Sequence, residues 1–136
     1  MRMINVKRNK LIHGNLTYLI NGICFETHNE LGRFSKEKQY SNYLEKRFKE
    51  EDLKYRREFS ISDSGNIVDF IIDDKIILEI KAKRLITKAD YYQVQRYLQI
   101  TGLKLGLLVN FRSKYLKPKR ILRSNKVLRE NIRIYP

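Results

Sequence analysis

From Ile67 to Lys81 the chain reads Ile-Val-Asp69-Phe-Ile-Ile-Asp-Asp-Lys-Ile-Ile-Leu-Glu79-Ile-Lys81. β-Branched runs broken by two turn-forming aspartates predict a hairpin of two strands, Ile67–Ile72 and Lys75–Lys81. Strands this apolar on both faces belong in the interior of a sheet. Asp69, Glu79 and Lys81 interrupt the pattern. Side chains alternate along a strand, so Glu79 and Lys81 share one face while Leu78 and Ile80 share the other. Charges in such a place cost several kcal/mol unless paired with each other or with a cation. Two readings stand. Asp69 and Glu79 hold a divalent metal, with Lys81 beside a bound water, which suits metal-assisted phosphodiester hydrolysis; or the three form an ion pair on an exposed sheet face. Asp52-x-Lys54 and Asp73-x-Lys75 share the acid-x-Lys spacing but read as solvated turn residues.

Register decides whether the first reading is geometrically open. With a two-residue turn at Asp73-Asp74, Ile72 opposes Lys75, and Asp69 points away from Glu79. If Lys75 joins the turn, Ile72 opposes Ile76 and Asp69 stands across from Glu79. A metal site therefore predicts a three-residue connection or a bulge of the same parity.

The 136 residues suit one domain, able to bury about two-thirds of its unfolded surface. Lys and Arg number 29 against 15 Asp and Glu, a net charge of +14 that points to a polyanion, foremost nucleic acid. From Leu103 onward ten basic residues face one acid, Glu130. Within this basic segment, which runs from about residue 112, Lys117, Lys119, Arg120 and Arg123 are the candidates for tracking a phosphate backbone. No stretch of about 18 apolar residues is present to span a bilayer. The polar, basic residues 1–15 read as a loose lead-in without a signal peptide's apolar core, and the single Cys24 fits a reducing cytoplasm.

Leu16, Leu19, Ile20, Ile23, Cys24 and Leu31 form a helical stripe closed by Gly32. Cys24 lies on it and reads as a core thiol. A second helix, N-capped by Ser35 and running to about Glu51, buries Tyr40, Leu44 and Phe48. Glu37 falls on or beside that inward face, or is a first-turn acid favoured by the helix dipole. Lys54–Ile61 is a strand, followed by a Ser-Asp-Ser-Gly-Asn turn. After the hairpin, Thr87 and Asp90 form a capping box for a helix to Thr101, with a stripe of Tyr91, Val94, Leu98 and Thr101. Gln93 lies off that stripe, toward Glu79 or toward water. Leu103–Phe111 is a further strand and Lys117–Arg123 an edge strand, since Pro118 cannot donate to a ladder. His13 and His28 lack partners at zinc-ligand spacing, and no phosphate-binding loop or serine-hydrolase motif occurs.

This order resembles the PD-(D/E)XK nuclease superfamily, and within it the small prokaryotic GxxExxY proteins. Leu31-Gly-Arg-Phe-Ser-Lys-Glu37-Lys-Gln-Tyr40 carries the namesake motif, with Phe34 where its first glycine stands. Glu79-Ile-Lys81-Ala, Gln93 before Tyr97-Leu98, and Thr101-Gly-Leu-Lys-Leu-Gly-Leu-Leu-Val-Asn-Phe111 carry the rest. The resemblance, over roughly Leu16 to Arg123, implies an α/β fold with a mixed sheet flanked by helices in the order ααβββαββ. It implies Asp69 and Glu79 as metal ligands, Glu37 as the helix acid completing the site, Lys81 positioning water, and Gln93 as an accessory polar group. It further implies Mg²⁺ or Mn²⁺, DNA as substrate, and dimers as an arrangement common in small relatives. A non-catalytic nucleic-acid-binding module is the first rival; a basic protein docking on an acidic partner or membrane face is the second.

Overall fold

The computed structural model describes residues 11–62 and 65–124. The first ten residues of the lead-in, two residues of the Ser-Asp-Ser-Gly-Asn turn and the basic segment beyond 124 lie outside them. Helices α1 (Gly14–Leu31) and α2 (Glu37–Glu50) precede strands β1 (Tyr55–Ser60), β2 (Ile67–Ile72) and β3 (Ile76–Lys81). Helix α3 (Lys88–Thr101) then leads to β4 (Leu105–Asn110) and β5 (Lys119–Leu122). The strands form one mixed sheet in the order β1-β2-β3-β4-β5, antiparallel except where α3 crosses over between parallel β3 and β4. This is the expected ααβββαββ order.

Each helix buries the middle of the stripe its sequence shows, with Leu16, Leu19, Leu31, Tyr91 and Thr101 half-buried. Ile20, Ile23 and Cys24 of α1 and Tyr40, Leu44 and Phe48 of α2 pack on Phe70, Ile72, Leu78, Ile80, Leu107 and Val109. Burial pushes the Cys24 thiol up to about 12, consistent with an inert core group. On the opposite face, Val94, Tyr97 and Leu98 of α3 pack on Ile71, Ile77, Leu108 and Ile121. There α3 lies so close to the sheet that a Cβ on Gly106 would stand 2.5 Å from Val94 Cγ1.

One local expectation is corrected, and one of two open readings is selected. Ser35 is not the N-cap of α2: its hydroxyl donates back to the Leu31 carbonyl, and Lys36 takes the cap position, its N–H donating to Gln39 Oε1. Of the two readings of Glu37, the first-turn acid is the one found: it is exposed in the first turn of α2.

Lys75 belongs to the hairpin connection, and the register is Ile72↔Ile76, Ile71↔Ile77 and Phe70↔Leu78. Continued by one residue, this sets Asp69 across from Glu79, the parity a shared site requires. Here the faces also exchange. Phe70 packs in the α1–α2 core, yet Val68, two residues away, packs in the α3 core. On β1, Arg57 reaches Glu45 of α2 while Phe59 packs with the α3 core. Between them Glu58 has φ 51°, the left-handed region, at a cost of about 1–2 kcal/mol for a residue with a Cβ.

Candidate active site

Where β2 turns over, Asp69 and Glu79 replace the ladder with side-chain bonds. The Asp69 N–H donates to Glu79 Oε1 at 2.9 Å, and the Ile80 N–H donates to Asp69 Oδ2 at 2.7 Å. The reciprocal arrangement locks the two carboxylates together. Glu79 is only 3% exposed. Burial, then the charge of Asp69, pushes its carboxyl up to about 8. Asp69 is raised as well, first by burial and further by the charges of Glu37 and Glu58. Two acids that resist ionising together, in a desolvated place, form a site short of positive charge.

Lys81 lies two residues along β3 and supplies part of that charge. Its ammonium donates to Gln93 Oε1 at 3.0 Å and stands 3.9 Å from Asp90 Oδ1. Asp90 is nearly buried. It caps α3 by accepting from the Thr87 N–H at 2.7 Å and holds Lys83 at 2.8 Å. Tyr97 completes this side: burial first, then the Glu79 and Asp69 carboxylates, pushes its phenol up to about 12. Asp90, Gln93 and Tyr97 are spaced i, i+3, i+7, one stripe of α3 beside its apolar one. That spacing was the available signal for Asp90 and Tyr97, which sequence reasoning left out of the site.

Glu37 is brought near but not into contact. Its charge raises both carboxyls, yet among the described residues no three His, Cys, Asp or Glu side chains converge closely enough to hold an ion. Tyr40, three residues on, does the anchoring. Its hydroxyl donates to the Gly32 carbonyl at 2.6 Å and accepts from the Ser35 N–H at 3.1 Å, and its ring stacks on Phe111 with centroids 4.3 Å apart. The Phe111 N–H donates to the Lys81 carbonyl, so Tyr40 ties the entry to α2 to the end of β3.

The four candidate phosphate contacts are not brought together. Lys117 and Lys119 are exposed near the end of β4 that pairs with Lys81. Arg120 turns to the α1 side, donating to Thr17 Oγ1 and the Ile12 carbonyl. Arg123 sits at the far end of the sheet and donates to the Gly102 carbonyl.

A divalent cation fits Asp69 and Glu79. Both are hard oxygen donors, each has one oxygen engaged by a backbone N–H, and a cation relieves the repulsion that raises them. Two protein carboxylates are also what Mg²⁺ accepts while keeping several waters. No helix among the described residues is long and apolar enough to cross a membrane. Comparison with curated proteins gives no match. A family profile described as the PD-(D/E)XK nuclease superfamily matches residues 14–123, which span both carboxylates, Lys81 and every described helix and strand. The chain belongs to the PD-(D/E)XK nuclease superfamily.

Proposed function

We propose that this chain is a single-domain, divalent-metal-dependent nuclease acting on DNA, and that within its superfamily it is a GxxExxY protein. The observation that carries the activity is the locked Asp69–Glu79 pair with the Lys81–Gln93 bond beside it. Asp69 and Glu79 would hold Mg²⁺ or Mn²⁺, and Glu37 adds a third negative charge nearby. When bound, the metal supplies Lewis acidity toward a phosphate oxygen and lowers the pKa of a water. Gln93 and Asp90 hold the Lys81 ammonium, which orients the attacking water or stabilises charge developing on the phosphate. Lys117 and Lys119, exposed near this end of the sheet, attract the DNA backbone; Arg120 and Arg123, engaged elsewhere, contribute less. The GxxExxY assignment rests on Glu37 and the Tyr40 anchor.

The test is Mg²⁺- or Mn²⁺-dependent cleavage of plasmid and branched DNA, with Mn²⁺ calorimetry on wild type, Asp69→Ala and Glu79→Ala. Cleavage and Mn²⁺ binding by the wild type, both lost in the variants, supports the reading. Salt-sensitive DNA binding without cleavage at any metal concentration assigns the chain to the non-catalytic module instead.

A further inference from the structure

Phe34 is 74% exposed, at the tip of the short link between α1 and α2. A single exposed aromatic needs no explanation. This one is flanked: the Arg33 guanidinium carbon lies 5.0 Å from its ring centroid and that of Arg112 lies 5.4 Å away. The two arginines are fixed by a reciprocal clamp. Arg33 Nε donates to the Arg112 carbonyl and Arg112 Nε donates to the Arg33 carbonyl, both at 2.9 Å. The clamp engages each guanidinium through Nε, and the terminal nitrogens carry no hydrogen bond among the described residues. His28 adds a bond from Nε2 to the Ser113 carbonyl at 2.9 Å, holding the same loop. The next residues on that loop, Lys114 and Tyr115, place a second cation 5.5 Å from a second exposed ring.

The position is specific. Arg112 follows Phe111, whose N–H donates to the Lys81 carbonyl at 2.8 Å. Phe34 precedes by three residues Glu37, whose charge reaches Asp69 and Glu79. The cation-flanked ring therefore stands at the end of the sheet that carries the carboxylates.

We propose that Phe34, with Arg33 and Arg112 beside it, is a stacking platform for an unpaired nucleobase of the DNA strand entering the site, with the terminal guanidinium nitrogens receiving its phosphates. This rests on the nuclease reading and adds to it a preference for single-stranded or frayed DNA. A paired duplex offers cations its phosphates but leaves an exposed ring unused; an unpaired base offers a π-face. The net charge of +14 favours the same polyanion.

The test is fluorescence anisotropy with the full chain in EDTA, on a labelled single-stranded DNA oligonucleotide and on a fully paired duplex of the same sequence. Phe34→Ala should weaken single-strand binding by about 5- to 150-fold. Duplex binding should hold, and Phe34→Trp should restore the single-strand affinity. Exposure of the ring leaves both variants able to fold. Oligonucleotides with one abasic position should lose affinity with wild type and lose no more with Phe34→Ala. Unchanged single-strand binding in Phe34→Ala, or equal weakening on both DNAs, overturns the platform. If the wild type still cleaves DNA with Mn²⁺ in that event, the nuclease reading survives; a wild type that binds neither DNA in EDTA and cleaves neither with Mn²⁺ overturns both.

Discussion

Near its turn the β2–β3 hairpin is a regular ladder, with Ile72, Ile71 and Phe70 opposite Ile76, Ile77 and Leu78, almost all fully buried. One residue further on, the same two strands carry a buried and a half-buried carboxylate, exchange of faces and side-chain bonds in place of main-chain pairing. The apolar end is built for stability. The acid end departs from the alternation and the ladder that make the other end stable, and it does so where we propose that the metal binds. Adjacent segments of one hairpin can therefore be told apart by the sign of a substitution: truncation weakens the apolar end, whereas neutralising a carboxylate strengthens the acid end.

The largest expected effects fall on catalysis. Asp69→Asn and Glu79→Gln should reduce Mn²⁺-dependent cleavage to background while the protein stays folded. Lys81→Met should reduce it by about 10²- to 10³-fold, the range for removing one charge-stabilising donor. Single-turnover cleavage with circular dichroism on the same samples checks this. Equal loss of cleavage and fold would make the acid end a structural pair like any other.

At the apolar end, Ile77→Ala should destabilise the protein by about 2–5 kcal/mol, since Ile77 is fully buried against α3. Cleavage per folded molecule should hold. Urea titrations give the first quantity and cleavage rates below the transition the second.

The two ends should also differ in pH dependence. The native Glu79 carboxyl is pushed from 4.5 up to about 8, so across that window the folded chain keeps a proton the unfolded chain has lost. In EDTA, stability contributed by Glu79 should therefore fall as pH rises from about 4.5 to about 8, then level off. Glu79→Gln should abolish that component, visible as a difference between the two pH profiles; Ile77→Ala should shift its profile without changing the slope.

The smallest effect belongs to the support behind Lys81. Asp90→Ala removes the acceptor for the Thr87 N–H and the partner of Lys83, at a cost of about 1 kcal/mol. It should lower cleavage without altering Mn²⁺ affinity in calorimetry.

Much of this was legible in the chain. Helical stripes ending at Gly32 and Gly102 and the apolar runs gave the ααβββαββ order, and the parity argument at Asp73–Lys75 anticipated the register. Periodicity could not show the exchange of faces at Asp69 and Glu58, because alternation assumes an unbroken strand. Glu37 was left between two readings for a related reason: helical spacing gives a direction but not where the core ends, and the first turn of α2 lies past it. The four phosphate contacts were read from charge alone, which cannot reveal that Arg120 and Arg123 are occupied by α1 and by the end of α3. Asp90 showed itself as a helix cap, and only its proximity to Lys81 discloses the second role.

The central claim is that Asp69 and Glu79 form a cation-binding site and not a structural pair. The most direct measurement is the thermal unfolding midpoint of wild type and Glu79→Gln at pH 8, in EDTA and with Mn²⁺. Without metal, Glu79→Gln should melt above wild type, because a buried repulsion is gone. Mn²⁺ should raise the wild-type midpoint and leave the variant unmoved. A variant that melts below wild type in EDTA, or a Mn²⁺ shift equal in both proteins, would contradict the account.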